Sequence, residues 1–232
     1  MTSFAFVSLG VMVFFAAGCG SGPAPRMMSL VGQEAFDNRS PTFQDREWTR
    51  LSRIGLVVHS DDTGSGAAPA ITESYLETLT RRTEEFLKQQ CAFQDILTVS
   101  TFSHPVDFSS ALESQFQNFP VSHQILVVFS GWERVGPEKI GEATVMTQMS
   151  GTVIEHYALA EIGVLRRSDR KMVYWVSGQG TESLEQLDAP IGKNQPSPSE
   201  ARDILRARSG QQALDRALEQ FAEACQRTRP GG

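Results

Sequence analysis

The residues whose types and spacing invite chemistry gather in one stretch, His59-Ser60-Asp61-Asp62-Thr63-Gly64-Ser65. Asp62-Thr63-Gly64-Ser65 has the order in which one carboxylate shares a proton with a second and activates a water between them. No second Asp-Thr/Ser-Gly occurs in the chain, so a second copy would have to supply the partner carboxylate. His59, Asp61 and Asp62 also carry metal-ligating atoms, with His104 and His123 as candidates to complete a set. Metal ligands cluster at tight spacings, and these are scattered, so no metal site is assigned. Gly178-Gln179-Gly180-Thr181 has the small residues of a phosphate cradle but neither a Lys nor a helix-capping pattern. Ser60 and His59 are not a nucleophile and its base, because neighbours on a strand point to opposite faces. The plainer reading of the stretch is a polar turn at a strand end, where Asp, Ser and Gly belong. The chain is therefore expected to be no enzyme: no catalytic residue, no cofactor, no metal.

These residues must be placed by the elements around them. Ile54-Gly55-Leu56-Val57-Val58 is apolar and rich in β-branched residues, the mark of a buried strand. The polar loop His59 to Pro69 follows it. Thr72 then caps a helix to about Gln90, with Ile71 and Leu76 as a hydrophobic staple. Leu76, Leu79, Thr83, Phe86 and Leu87 form its apolar face. Phe93 to Val99 is a second strand, and Asp107 caps a shorter helix through about Phe116. Ile125-Leu126-Val127-Val128-Phe129 reads as a strand covered on both faces, with Trp132 and Glu133 at its exit. Ala158 to Arg166 and Lys171 to Val176 form a hairpin with a turn at Ser168-Asp169. Strand alternation puts Tyr174 with Met172 and Val176, and Trp175 with Val173. Gly178 to Pro196 reads as a loop.

The last helix starts at Ser197-Pro198-Ser199-Glu200, with Ser197 as cap. Leu214, Ala217, Leu218, Phe221, Ala222 and Cys225 make its apolar stripe. Ser209-Gly210 is a candidate break, and Arg202, Arg206, Arg208 and Arg216 its solvated side. The order is β-α-β-α-β, a β-hairpin, then α. That order predicts an α/β (α+β) fold with a single mixed sheet and helices packed on it.

Composition bounds the partners. The 232 residues carry a net charge of −6, which argues against nucleic acid, since that partner wants a basic face. Cys91 and Cys225 have no zinc spacing. If the domain is exported, they meet oxidising conditions and are candidates for a disulfide between the first and last helices; two small buried thiols are the alternative.

Export is suggested by Met1 to Cys19. Phe4 to Ala17 is apolar apart from Ser8 and Gly10, and it ends in Ala16-Ala17-Gly18-Cys19. Such a run is short for a membrane span and has the length of a signal-peptide core. The cysteine after small residues resembles the lipobox of bacterial lipoproteins. That resemblance implies acylation of Cys19, a signal peptide over 1–18, a flexible tether over 19–50 and one domain over 51–228. Two features depart from the pattern: Ala16 stands where Leu is usual, and the first basic residue is Arg26. A cleaved signal with a chance cysteine and a retained anchor are the alternatives. Gly20, where an Asp would signal inner-membrane retention in that family, points to the periplasmic face of the outer membrane.

The sequence of elements carries a further resemblance. Arg53 to Val58, Gln124 to Phe129, the turn Arg167-Ser168-Asp169-Arg170 and the exit Gly178-Gln179-Gly180-Thr181-Glu182-Ser183 are similar to the rhombotail (rhombotarget) lipoproteins over about residues 50–192. The layout also resembles outer-membrane lipoproteins of the curli-secretion and penicillin-binding-protein-activator type. The resemblance implies an accessory protein of the cell envelope, anchored by lipid, that binds an envelope protein partner. A structural component that oligomerises through a sheet edge, and an envelope hydrolase using the His59–Ser65 loop, are the alternatives. Trp132, Glu133, Tyr174 and Trp175 are the expected interface, since aromatics dominate interface energetics and hairpin edges accept added strands.

Overall fold

The structure, a computed structural model, describes residues 25–36, 47–63, 67–91, 93–102, 121–140, 149–187 and 198–226. Cys19, Gly64, Ser65, His104, Ser197 and the helix expected over 107–116 lie outside them. Five strands form one mixed sheet in the order β2-β1-β3-β4-β5. β1 (Arg53–Asp61) runs parallel to β2 (Asp95–Phe102) and to β3 (His123–Ile140). β4 (Met149–Arg166) and β5 (Lys171–Leu187) continue antiparallel from β3. The expected mixed sheet with helices on it is the fold observed.

Two apolar clusters separate the faces of the sheet. Ile125, Val127 and Phe129 of β3 point to a front face covered by α2 (Glu73–Gln90) and α3 (Pro198–Gln226). Leu126 and Val128 point to a back face, packed against the short helix α1 (Met27–Val31) and the 3-10 turn Gln33–Ala35. All five of these β3 side chains are at most 1% exposed, as five apolar residues in a row require of a strand buried on both sides. The staple is in place: Ile71 and Leu76, before and inside the first turn of α2, are both buried in the front cluster. A disulfide joins Cys91, just after α2, to Cys225 near the end of α3, with the α-carbons 5.2 Å apart.

Several expectations are corrected. Within the stretch expected as a tether over 19–50, Arg26 to Phe36 is packed on the back face, with Met27 fully buried. Trp48 lies in the front core among Phe93, Tyr174 and Phe221, so the domain does not begin at residue 51. The hairpin turn has four residues, 167–170, with Arg170 in the left-handed region at φ 56°. Asp169 holds this turn by accepting two hydrogen bonds from Arg166.

A bulge follows the turn. Val164 pairs with Tyr174 but Leu165 pairs with Met172, so Val173 is an extra residue on β5. Met172 therefore packs on the back while Tyr174 packs on the front, against the strict alternation expected. The loop expected from Gly178 is strand as far as Leu187. Ser209-Gly210 does not break α3. There the helix lies closest to the core, with Ser209 fully buried and Gly210 facing Ile71 and Phe129.

Candidate functional site

The carboxyl ends of parallel strands are where α/β sheets place ligands. Here those ends carry Ser60 and Asp61 of β1 and Ser130 of β3, with His156 of β4 beside them. Strand alternation sends the two β1 residues to opposite faces. Ser60, on the front, accepts a hydrogen bond from the Ile71 N–H at 2.8 Å and fixes the entry to α2. Asp61, on the back, is 3% exposed. It accepts from Arg26 Nε at 2.5 Å, Thr63 Oγ1 at 2.7 Å and the Thr63 N–H at 3.2 Å. Burial acts to raise its pKa, but the hydrogen bonds of Thr63 and Arg26 outweigh it and hold the carboxyl below its usual range.

Glu161 is the second acid on the back face, 1% exposed in the middle of β4. One of its oxygens accepts the N–H groups of Arg26 (2.5 Å) and Met27 (2.9 Å). The other accepts Trp175 Nε1 at 3.1 Å. Burial raises its pKa, and these donors only partly offset that. The segment that answers both acids is remote in sequence, more than 30 residues from Asp61 and more than 130 from Glu161.

His156 sits on the front face, 3% exposed. Its Nδ1 is 2.6 Å from Ser209 Oγ, whose hydroxyl also reaches the carbonyls of Leu205 and Arg206, each at 3.0 Å. The single hydroxyl proton goes to a carbonyl, so His156 Nδ1–H is the donor and Nε2 an acceptor beside Gly131. Burial lowers its pKa to about 4; Glu133 acts to raise it and Arg206 to lower it. A cleft between Ser60, Ser130, Gly131 and His156 has room for a single water molecule. At neutral pH an imidazole of that pKa is a weak base, far from the value that suits proton transfer.

The other candidates are dispersed. His59 is level with Val128, and His123 lies five residues earlier on β3, level with Arg166. That separation is roughly 16 Å along the strand, so these two histidines cannot share an ion. Among the described residues no group of three or more His, Cys, Asp or Glu side chains is placed to hold a metal. Gly178 and Gly180 cradle a helix. A Cβ at Gly178 would overlap the Ala213 carbonyl oxygen and lie 2.5 Å from Ala217 N, and one at Gly180 would overlap the Ser209 carbonyl.

The four expected interface residues have different fates. Tyr174 is core, 4% exposed, packed on Trp48 and Phe221. Trp175 is half-buried on the back, edge-on to Phe36. Glu133 forms a 2.6 Å ion pair with Arg206 of α3, so Arg206 does not belong to a solvated side; both side chains are about 12–13% exposed. Trp132 is half-buried and packs against Tyr157, its cross-strand partner, with ring centroids 5.4 Å apart and the planes tilted by 46°. Tyr157 was missed from sequence because residues past Phe129 gave no strand pattern.

The β5 edge is occupied by side chains of α3. Ser177, Gln179 and Thr181 turn their outward backbone groups away from β4. Gln220 donates to the Ser177 carbonyl at 2.9 Å and Arg216 to the Gln179 carbonyl at 2.6 Å, while Gln212 accepts from the Thr181 N–H at 3.4 Å. Residues four apart on a helix and two apart on a strand recur at nearly the same distance, about 6 to 7 Å. The glycines let the helix come close enough for the row to reach.

Among the described residues no helix is long and apolar enough to cross a membrane. No family model matches the chain, and no curated protein matches it. Several solved structures match the chain, all at low identity and with TM-scores below 0.5. Lipoprotein GNA1162 from Neisseria meningitidis is 9% identical, with a TM-score of 0.34, over 75% of this chain and 99% of that one. A minor lipoprotein from Acinetobacter baumannii is 9% identical, with a TM-score of 0.32, over 75% and 92%. Rare lipoprotein B from Shewanella oneidensis is 13% identical, with a TM-score of 0.27, over 73% and 94%. These neighbours are bacterial lipoproteins, and no family is assigned from them.

Proposed function

We propose that this protein is a lipid-anchored accessory protein of the cell envelope, which works by binding a protein partner and not by catalysis. The observation that carries the reading is the apolar run Phe4–Ala17 leading into Gly18-Cys19, with Arg26, the first described residue tied to the sheet, seven positions after Cys19. A cysteine acylated at that point holds the domain close to a membrane surface, and the outer membrane's periplasmic face is the location favoured by Gly20. The partner surface is the half-buried pair Trp132 and Tyr157, with the exposed Arg134 beside it on the same face of β3. Aromatic side chains of this type are the usual anchors of protein interfaces. Self-association through the β5 edge is the weaker reading, because the α3 row already occupies that edge.

The test has two parts. Wild type and Cys19→Ala are expressed, labelled with a fatty-acid probe and fractionated; the wild type is expected to take label and follow the membrane, and the variant to do neither. Trp132→Ala is then compared with wild type for partner recovery by crosslinking in cells. It is expected to stay folded by circular dichroism and to lose the partner. A wild type that takes no label refutes the anchor, and a folded Trp132→Ala that keeps its partner refutes the surface.

A further inference from the structure

The segment Arg26–Phe36 is held to the back face by a small set of contacts. Of its eleven residues only Met27, Val31 and Ala35 are buried. The polar ties are the Arg26–Asp61 ion pair, the hydrogen bond from the Arg26 guanidinium to Thr63 Oγ1 at 2.6 Å, the two N–H groups given to Glu161, and Lys171 Nζ donating to the Glu34 carbonyl at 2.7 Å. Gly32, at φ 92°, turns the chain between α1 and the 3-10 turn. These contacts belong to the back cluster, while α2, α3, Trp48 and the disulfide belong to the front. Ordering a segment on so little buried surface leaves it at the low-stability end of the fold, where local opening occurs without global unfolding.

We infer that Arg26–Phe36 is a releasable strap that sets how far the domain reaches from its membrane anchor. This rests on acylation of Cys19 as proposed above. With the strap docked, Arg26 is held seven positions after Cys19, a reach of at most about 25 Å. With it released, the next described contact with the core is Trp48, 29 positions from Cys19, and the reach rises to at most about 100 Å. The Arg26–Asp61 pair is the latch. Asp61 is buried and needs a cation, and Arg26 is the group that supplies it. The back face so uncovered carries two acids amid Val57, Leu126 and Val128, a surface that re-accepts only a segment bringing a cation and apolar side chains together.

The full chain is purified with a nitroxide attached through Met28→Cys, a site 46% exposed on the outer side of α1. Label mobility is read by electron paramagnetic resonance, and the front core by near-ultraviolet circular dichroism. Removing the cation from a buried carboxylate is expected to raise the undocked fraction on the order of a hundredfold. Arg26→Ala and, separately, Met27→Asp should therefore mobilise the label and leave the dichroism unchanged. In vesicles, energy transfer from a fluorophore at Val135→Cys to a lipid dye should fall in both variants. A label that stays immobile in both variants overturns the strap, as does loss of the front-core signal together with the strap in both. A mobile label with a wild type that takes no fatty acid leaves the strap standing and removes the anchor reading, so the two failures are told apart.

Discussion

Gly178→Ala isolates the close contact between α3 and β5. The added methyl would overlap the Ala213 carbonyl oxygen, approach Ala217 N to 2.5 Å and Arg216 Cβ to 2.9 Å. Two of these three atoms are backbone of a continuous 29-residue helix, so no rotamer change relieves the overlap and the helix must move. Overpacking of this kind costs about 1–3 kcal/mol, and more where backbone must shift. Replacing a strand glycine by alanine returns roughly 0.5–1 kcal/mol. The expected net loss is about 2 kcal/mol, read as a lower urea midpoint at unchanged slope. Gly136→Ala is the matched control, because a Cβ there meets nothing within 4 Å; it should be neutral or slightly stabilising. A second consequence follows from the geometry. A displaced α3 carries Arg216 and Gln220 out of reach of the Gln179 and Ser177 carbonyls, and a bare strand edge recruits another chain. Light scattering should show concentration-dependent association of Gly178→Ala and a monodisperse control. A Gly178→Ala protein as stable as Gly136→Ala would refute the packing account, and one that is destabilised but monodisperse would refute the link to the edge.

The disulfide closes a loop with a sequence separation of 134 residues, for which the chain-entropy model gives about 5 kcal/mol and removal of native bridges about 2–5 kcal/mol. Cys91→Ala/Cys225→Ala should lose stability in that range, and reductant should shift the urea midpoint of wild type but not of the variant; a wild-type midpoint indifferent to reductant refutes the bridge. His156 makes stability depend on pH. Its pKa falls from 6.5 to about 4 on folding, so between these values the unfolded chain binds the extra proton and stability drops as pH falls. The full effect is roughly 3 kcal/mol. Asp61, lowered from 3.8, adds loss in the same direction at lower pH, whereas Glu161, raised from 4.5, acts oppositely. The difference between wild type and His156→Asn isolates the histidine, and equal slopes for the two between pH 6.5 and 4 would remove it as the cause.

The strands and helices of the front layer were legible because their patterns are local. Ile125 to Phe129 announces a doubly covered strand, and Ile71 with Leu76 announces the entry to α2. The long outer ends of β3, β4 and β5 were not legible. Beyond Phe129 and Val176 the strands pair mostly with one another, and residues such as Gln179, Glu182 and Glu185 show no apolar alternation, so they resemble loop. Gly178 and Gly180 read as a turn because glycine in a strand and glycine in a loop look alike until the helix that fills the space is known. The reversal of Met172 was hidden for a different reason: a bulge adds one residue without any change in composition, and every side chain on the turn side of it changes face.

The back-face contact was the least legible part, yet one residue pointed to it. Glu161 stands between Ala158-Leu159-Ala160 and Ile162-Gly163-Val164-Leu165, an acid in the middle of an apolar strand. A strand buried on both faces has no place for a bare carboxylate, so its ionised form requires donors from a covering element. Two of the three donors here are backbone N–H groups, which carry no residue identity and leave no trace in the sequence of the partner. Asp61 adds the specific half of the recognition, because it takes the guanidinium of Arg26, the first cationic residue in the chain. In the stretch whose residue types invite chemistry, the Asp61 carboxylate is engaged in holding the N-terminal segment against the sheet.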